Sequence, residues 1–284
     1  MRSIDISINL SFRYDYDRAL ERLASDPVHS VNLGTREVRI PMEEGNIVRL
    51  VGTGTTESPS FILQNVQNED QVEWVKRRFH FHQSLDQINT HFMQTDLEQL
   101  FIEHAGTPLV RNFSLYGTLM QNIIHQQLNL AFSHTLTMRF VQAFGSEQEG
   151  VWRYPKPEVV ARLQVDDLRT LQFSARKAEY VIGLSQAIAD GRLDLNKFET
   201  MEDEEVIREL VAYRGVGAWT AQNFLLFGLG RPNLFPIADV GLQNALKKVW
   251  NLTRKPTADE IAEHFPRWSP YLSYAALYLW RSIE

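Results

Sequence analysis

The sequence contains no cysteine among its 284 residues. Disulfide bonds, thiolate zinc sites and cysteine-ligated iron–sulfur clusters are therefore excluded. A chain without cysteine suits a reducing compartment, so we expect a cytoplasmic location.

A long apolar run is also missing. No stretch approaches the roughly 18 to 20 apolar residues that a membrane helix needs. The chain starts with MRSIDISINLSF, where Asp5 and alternating polar residues interrupt any apolar core, so no signal peptide is predicted. The composition, 44% hydrophobic and 23% charged, is typical of a soluble globular protein of one or two domains.

An excess of positive charge is the third feature that the sequence lacks. The formal net charge is −6. Many nucleic-acid-binding domains are strongly basic, so this balance argues against a DNA or RNA partner. It does not exclude one, because a local patch of positive potential can exist on an acidic protein.

Hydrophobic periodicity divides the chain into two regions. Apolar and polar residues alternate over 4–12, and strand-like segments follow at 36–40, 46–52 and 60–66. These segments predict a small antiparallel sheet, with a helix near 16–24 on one face. From about residue 69 the periodicity is helical to the end of the chain.

The predicted fold class is therefore α+β, mainly α. Residues 1–82 form the sheet-and-helix domain, and residues 83–284 form an all-helical region. The helical spacing of apolar residues predicts helices near 70–79, 84–94, 96–105, 114–127, 131–144, 157–163, 175–190, 202–213, 218–228, 239–250, 257–264 and 269–282. The longest break, 142–157, contains two prolines and two glycines.

The stretch LVAYRGVGAWTAQNF, residues 210–224, places a glycine turn between two helical segments. Gly215 and Gly217 can reverse the chain because glycine tolerates positive φ. The second helix would resume at Ala218, and its first N–H groups and positive dipole end would suit a phosphate. An ordinary helical hairpin closed by glycines explains the same pattern. Dinucleotide binding is poorly supported, because no strand precedes the glycines.

This stretch, followed by FPIADVGLQNAL (235–246) and RWSPYLSYAALYLW (267–280), resembles the helix-hairpin-helix DNA glycosylases, above all the 3-methyladenine DNA glycosylase II (AlkA) type. The resemblance extends back through LYGTLMQNIIHQQLNLAFSHTLTMRFVQAFG (115–145) and covers most of 110–284. It implies two helical subdomains around a cleft, and a monofunctional N-glycosylase that flips alkylated bases, such as 3-methyladenine and 7-methylguanine, out of double-stranded DNA. It implies no cofactor and no catalytic metal. We expect a monomer, nucleoid-associated when bound to DNA.

The resemblance implies that Asp239 is the catalytic carboxylate. Cleaving a base from deoxyribose develops positive charge on the sugar, much as in glycoside hydrolysis. A carboxylate can stabilise that charge and orient or deprotonate the attacking water. A helix N-cap is the alternative interpretation of Asp239, and both roles can coexist.

The resemblance also places the residues that handle the flipped base and the DNA backbone. Trp219 and Tyr271 match aromatic residues that line the base pocket in the family, although simple core packing would also explain them. At two further positions where the family has pocket aromatics, this chain has Asn223 and Val240. The gap left by the flipped base would be filled by Gln127 or Leu128. The backbone clamp is expected to comprise Gly215, Val216, Gly217, Ala218 and Thr220.

Three further expectations concern lysine, cations and other activities. Lyase relatives carry a lysine where this chain has Trp219, so the resemblance implies no Schiff base. Backbone carbonyls of Val211, Tyr213 and Val216 match those that can hold a cation in the family. A non-catalytic helix-hairpin-helix DNA-binding protein is the second hypothesis. A glycosylase for another damaged base, including a glycosylase/lyase for oxidised bases, is the third.

Overall fold

The structure, a computed structural model, describes residues 4–284. Ser3, at the start of the predicted first strand, lies outside the described residues, as do the other residues before Ile4. None of the helices in the described range is both long and apolar enough to cross a membrane.

The first region contains a five-stranded antiparallel sheet of strand order β1-β5-β4-β3-β2. A separate two-stranded hairpin, β6–β7, lies in the long break at 142–157 and makes backbone contacts to β3. The strands are β1 (Ile4–Asn9), β2 (Ser30–Asn32), β3 (Glu37–Pro41), β4 (Ile47–Gly52), β5 (Ser60–Val66), β6 (Ser146–Gln148) and β7 (Val151–Arg153). The predicted sheet is confirmed; β2 and the hairpin are too short for alternation to reveal them.

Apart from the β6–β7 hairpin, which the expected all-helical region did not include, the regular structure after β5 is helical, as predicted. The α-helices are α1 (Tyr16–Ala24), α2 (Glu69–Arg78), α3 (Leu85–Phe92), α4 (Glu98–Glu103), α5 (Leu115–His125), α6 (Leu130–Phe144), α7 (Pro157–Val160), α8 (Val165–Thr170), α9 (Ala175–Ala189), α10 (Asp203–Val211), α11 (Ala218–Asn223), α12 (Val240–Val249), α13 (Ala258–Ala262), α14 (Phe265–Trp268) and α15 (Leu272–Arg281). A 3₁₀ turn spans Leu195–Glu199.

Two of the predicted helices differ in detail. The helix expected over 218–228 begins as α11 and continues as a π-helical segment, Phe224–Leu229, that ends at Gly230 with φ +71°. The helix expected over 269–282 begins later, at Leu272. The short α8 and α14 were not predicted.

Helix α1 joins the sheet to the helical region. Its Tyr16 hydroxyl donates to the Leu50 carbonyl of β4 at 2.9 Å. A Cβ atom on Gly52 would lie 2.4 Å from the Tyr16 ring, so only glycine permits this close packing. Buried side chains from β4 and from α15 belong to one continuous apolar core. The domain boundary at residue 82 therefore stays a prediction. The close packing of α1 on the sheet fixes the position of this helix, and some of its side chains point toward the helical region.

Candidate active site and DNA-binding hairpin

The glycine turn between α10 and α11 depends on one of its two glycines for its shape. Gly215 has φ +93°, and a Cβ atom there would lie 2.3 Å from Cγ of Tyr180 on α9. Gly217 has φ −94°, which any residue adopts, and a Cβ atom there would meet nothing within 4 Å. The expectation of positive φ thus holds for Gly215 alone, and Gly217 leaves open space at the turn.

The start of α11 has free donors. Gly217 is the N-cap residue and no side chain caps the helix. Ala218 is exposed, whereas Val216 and Thr220 are buried and pack the turn against the core. The first N–H groups of α11 therefore face the open side of the turn, where a helix favours an anion.

Asp239 is the N-cap of α12, as one interpretation of the sequence predicted. Its Oδ1 accepts a hydrogen bond from the Leu242 amide at 2.9 Å. The Asp239 amide in turn donates to the Pro236 carbonyl at 2.8 Å, which fixes the loop that enters the helix. The helix start thus sets the orientation of the carboxylate.

Two indole groups also contact this carboxylate. Trp280 Nε1 donates to Oδ1 at 3.1 Å, and Trp219 Nε1 donates to Oδ2 at 3.4 Å. Oδ1 therefore has two good donors, whereas Oδ2 has a single long one. Oδ2 is therefore the oxygen with more capacity to accept a further hydrogen bond.

The carboxylate lies in the wall of a cavity of about 300 Å³. That volume is at the small end of the range for pockets that bind small molecules. Trp219 and Asn223 of α11, two of the residues expected to form the base pocket, line it, and the Asn223 side chain donates to the Trp219 carbonyl at 3.0 Å. The other lining residues are Arg18, Arg22, Thr107, Pro108, Phe227, Leu277, Trp280 and Glu284.

Two guanidinium groups from α1 also line this cavity. Arg18 is neutralised by Glu21, 3.2 Å away, and by Glu284. Arg22 lies 3.9 Å from the centre of the Phe227 ring and donates to neutral oxygens of Ser25 and Asn112. Burial lowers the pKa of Arg22 to about 10, and the guanidinium remains charged at neutral pH. The cavity therefore contains a positive charge that makes no ion pair with a carboxylate of residues 4–284.

Tyr271 and Val240 do not line the Asp239 cavity, and their role in a base pocket stays a prediction. Tyr271 precedes α15, and its ring packs edge-on against His91 with the ring centres 5.2 Å apart. Val240 begins α12 just beyond Asp239, and its side chain is 58% exposed. The α15 wall of the cavity comes from Leu277 and Trp280 instead.

The turn after α5 presents Gln127 to solvent. Gln127 is exposed and has φ +57°, whereas Leu128 is half-buried and packs on the core. The neighbouring Gln126 points away from solvent, and its Nε2 donates to the Gly215 carbonyl at 2.9 Å and to Thr220 Oγ1 at 3.1 Å. Of the two predicted gap-filling residues, Gln127 has the freer side chain.

The hairpin carbonyls are partly used within the protein. The Tyr213 carbonyl accepts a hydrogen bond from the Val216 amide at 3.1 Å. Val211 is the last residue of α10 and is exposed. Within residues 4–284 no three His, Asp or Glu side chains form a group that could hold a metal ion.

A larger cleft, of about 1180 Å³, lies between the sheet and the helices. Its walls include Trp74 of α2 and Trp152 of β7. None of the predicted site residues lines it. The smaller cavity is therefore the candidate site, because it contains Asp239 and the larger one does not.

Comparison with known families agrees with this arrangement. A family model described as HhH-GPD superfamily base excision DNA repair protein matches residues 120–270, which span the α5 turn, the hairpin and Asp239. The chain belongs to the HhH-GPD superfamily. The resemblance recognised from the glycine hairpin and the aspartate after it is thereby confirmed.

Relatives of this HhH-GPD protein include two from Bacillus subtilis. The chain is 49% identical over 276 residues to "Putative DNA-3-methyladenine glycosylase YfjP", covering 95% of this chain and 96% of the relative. It is 34% identical to a protein named "DNA-3-methyladenine glycosylase", with 84% of each chain covered. Both relatives match the sheet region as well as the helices.

Solved structures share the fold. The 3-methyladenine DNA glycosylase of Archaeoglobus fulgidus superposes with a TM-score of 0.80 at 21% identity, covering 97% of each chain. The Schizosaccharomyces pombe 3-methyladenine glycosylase in complex with abasic DNA superposes with a TM-score of 0.60 at 24% identity, covering 69% of this chain and 96% of that one. At these identities the likeness establishes the fold of an HhH-GPD protein.

Sequence reasoning missed the cavity walls that are distant from the hairpin in the chain. Arg18 and Arg22 belong to the amphipathic α1, where an arginine is an ordinary exposed residue. Trp280 ends the segment 267–280 that carries the resemblance, and an indole near the end of the last helix was the available signal. Phe227 follows Trp219 and Asn223 at intervals of four residues, and this helical spacing was the available signal.

Proposed function

We propose that this HhH-GPD protein is a DNA N-glycosylase that hydrolyses the bond between deoxyribose and an alkylated base in duplex DNA. The names of its relatives support 3-methyladenine as a substrate, and the family resemblance adds 7-methylguanine. The proposal depends above all on the two carboxylate oxygens of Asp239. Oδ1 is engaged by Leu242 and Trp280, while Oδ2 keeps capacity for a substrate or a water molecule.

In the proposed mechanism the flipped nucleotide enters the cavity with its sugar beside Asp239. As the base departs, positive charge grows on the sugar ring, and the carboxylate stabilises it electrostatically. Water then adds to the sugar carbon, with Oδ2 placed to orient it or accept its proton. The products are the free base and an abasic site. An N-alkylated purine already carries a positive charge, so it leaves as a neutral base.

The DNA backbone would be held at the hairpin by the amides that begin α11. Gly217 and Ala218 leave space for close approach of a phosphate, and Gly215, Val216 and Thr220 keep the turn in shape. Because these donors are backbone groups, binding needs few basic side chains. A protein with a negative net charge can therefore bind duplex DNA at the hairpin.

Trp219 offers the cavity an indole face for stacking and cation–π attraction to an alkylated base. It is 43% exposed, so its face is accessible from outside. Arg22 acts in the opposite sense on a cationic base, since like charges repel at short range. We infer that the balance between these two groups sets which damaged bases are released.

The proposed reaction leaves the sugar–phosphate strand intact. No lysine is among the described residues that line the cavity, and Trp219 stands where lyase relatives carry one. Lys248 on α12 donates to the Ser282 carbonyl at 3.3 Å and is not a lining residue. A monomer, a cytoplasmic location and a hairpin-bound cation held by Val211, Tyr213 and Val216 remain predictions.

A non-catalytic DNA-binding protein is the second candidate function. Asn223 and Val240 stand where the resemblance implies aromatics, and Tyr271 does not line the cavity, so fewer aromatic faces are left to hold a flipped base. Such a protein would bind abasic-site analogues and release no base.

The test is incubation of the wild-type protein with methylated duplex DNA, followed by analysis of both products. We expect free 3-methyladenine or 7-methylguanine, abasic sites that cleave only after alkali treatment, and no adduct after borohydride reduction. An adduct with borohydride would contradict the absence of lyase activity. Binding to an abasic analogue without base release would favour the second candidate.

A further inference from the structure

The turn after α5 and the glycine hairpin are far apart in sequence, yet two side chains connect them. Lys177, in the first turn of α9, donates from Nζ to the carbonyls of Ile124 at 2.5 Å and Gln126 at 2.6 Å. Gln126 donates from Nε2 to the Gly215 carbonyl and to Thr220. The chain of contacts therefore runs from α9 through the α5 turn to the hairpin.

The positive charge of Lys177 lies where α5 ends and its last carbonyls lack helical partners. A cation is favoured at this end of a helix by the dipole and by those unsatisfied carbonyls. Burial lowers the pKa of Lys177 to about 8, and the amine is mostly protonated at neutral pH. The contact thus combines charge with two directed hydrogen bonds.

Gln127, the next residue, adopts φ +57°. A side chain in this left-handed region costs backbone strain and persists where the surroundings over-determine it. Lys177 holds the carbonyl immediately before Gln127, and the Gln126 side chain holds the same residue to the hairpin. These contacts account for the strained conformation that presents Gln127 to solvent.

Helix α9 contacts the hairpin a second time through Tyr180, whose ring packs under Gly215. One face of α9 therefore sets the position of both parts of the candidate DNA surface. The α5 turn would fill the gap in the stack, and the hairpin would hold the backbone.

We propose that Lys177 is a positioning residue for base flipping: by fixing the α5 turn relative to the hairpin, it makes gap filling by Gln127 and backbone binding act as one rigid unit. This inference depends on the proposed glycosylase function. Lys177 makes no contact with the reacting atoms and acts only through the turn that it holds.

The test compares one methylated oligonucleotide as a single strand and as a duplex, with release of 7-methylguanine measured in single turnovers. A gap needs filling only in the duplex, where the base must be unstacked and unpaired. We expect Lys177→Met to slow duplex release on the order of tenfold, as displaced positioning groups do, and single-strand release less than about twofold. Lys177→Arg, which keeps charge and donors, should retain most of the duplex rate.

Two further variants test whether a slower Lys177→Met protein has simply lost its fold or one positive charge. Arg176→Met removes a charge from the same turn of α9; Arg176 is exposed and has no hydrogen bond or ion pair among the described residues, so the duplex-to-single-strand ratio should not change. Gln126→Met breaks the contact to the hairpin and should reduce duplex release selectively. It tests the inference even if Lys177→Met does not fold.

Equal losses on both substrates, or no loss with either Lys177→Met or Gln126→Met, would overturn the positioning role and leave the glycosylase function standing. No release by the wild type from either substrate would overturn the proposed function itself, and the positioning role with it.

Discussion

The hairpin and the Asp239 cavity lie along the same helix but are built in different ways. The hairpin is local: Gly215, Gly217 and the amides of α11 form it within a few residues. The cavity collects side chains from α1, α11, α12 and α15. A backbone site of the first kind suits a ligand that repeats along DNA, the phosphate. A side-chain site of the second kind can change its substrate through one replacement on a distant helix.

The largest expected effect on stability comes from replacing Gly215, one of the two hairpin glycines, and Gly217 is its matched control. Gly215→Ala places a methyl group against Tyr180 at positive φ, so we expect a loss of roughly 3 kcal/mol or more in the free energy of unfolding. Gly217→Ala meets no protein atom and should cost under about 1 kcal/mol, yet weaken binding to an abasic-analogue duplex. Denaturant unfolding and a binding titration separate the two; equal stability losses would contradict the distinction.

His80 lies at the other end of the helical segment that begins at the hairpin, where its Nε2 packs against Gly230. Its titration should make the stability of the protein depend on pH. Burial, reinforced by Arg111 and Arg78, lowers the pKa of His80 from 6.5 to about 4. The unfolded chain therefore binds more protons between these pH values, so stability should fall as the pH drops from about 6.5 to 4, by on the order of 3 kcal/mol from this group. His80→Asn, which tolerates the φ of +53°, should unfold with a flatter pH dependence.

Replacing Trp280 tests whether its hydrogen bond to Asp239 contributes to the rate of base release. Trp280→Phe keeps the ring packing against Phe227 but removes the N–H that donates to Asp239 Oδ1. We expect the single-turnover rate of base release to fall about tenfold, the usual cost of a lost hydrogen bond to a charged group, with DNA binding unchanged. An unchanged rate would show that the Leu242 amide alone orients the carboxylate.

Arg22 offers the smallest but most selective effect. Arg22→Gln keeps a donor in the cavity and removes the charge, so release of cationic 7-methylguanine should rise severalfold relative to a neutral damaged base such as hypoxanthine. Arg18→Gln is the matched control, because the Arg18 charge is already paired with Glu21 and Glu284 and should affect the ratio less. A competition assay with both bases in one DNA pool measures the ratio directly.

The sequence was sufficient for the parts of this protein that are local. Alternation identified four of the five strands in the main sheet, and the glycine spacing with the aspartate after it identified the hairpin and the family. The cavity walls were less accessible. Arg22 reaches the cavity through the packing of α1, which the local pattern of that helix does not reveal. Tyr271 does not line this cavity, and its role in holding a base stays a prediction.

The most direct test of the account replaces Asp239 with residues that keep the helix cap but lack its charge. Asparagine and serine are both good N-cap residues, so Asp239→Asn and Asp239→Ser should preserve the melting temperature and binding to an abasic-analogue duplex. The account predicts that both variants lose base release by on the order of a thousandfold, because the transition-state charge on the sugar has lost its counter-charge. Base release at the wild-type rate by either variant would contradict it, and would reduce Asp239 to a structural cap.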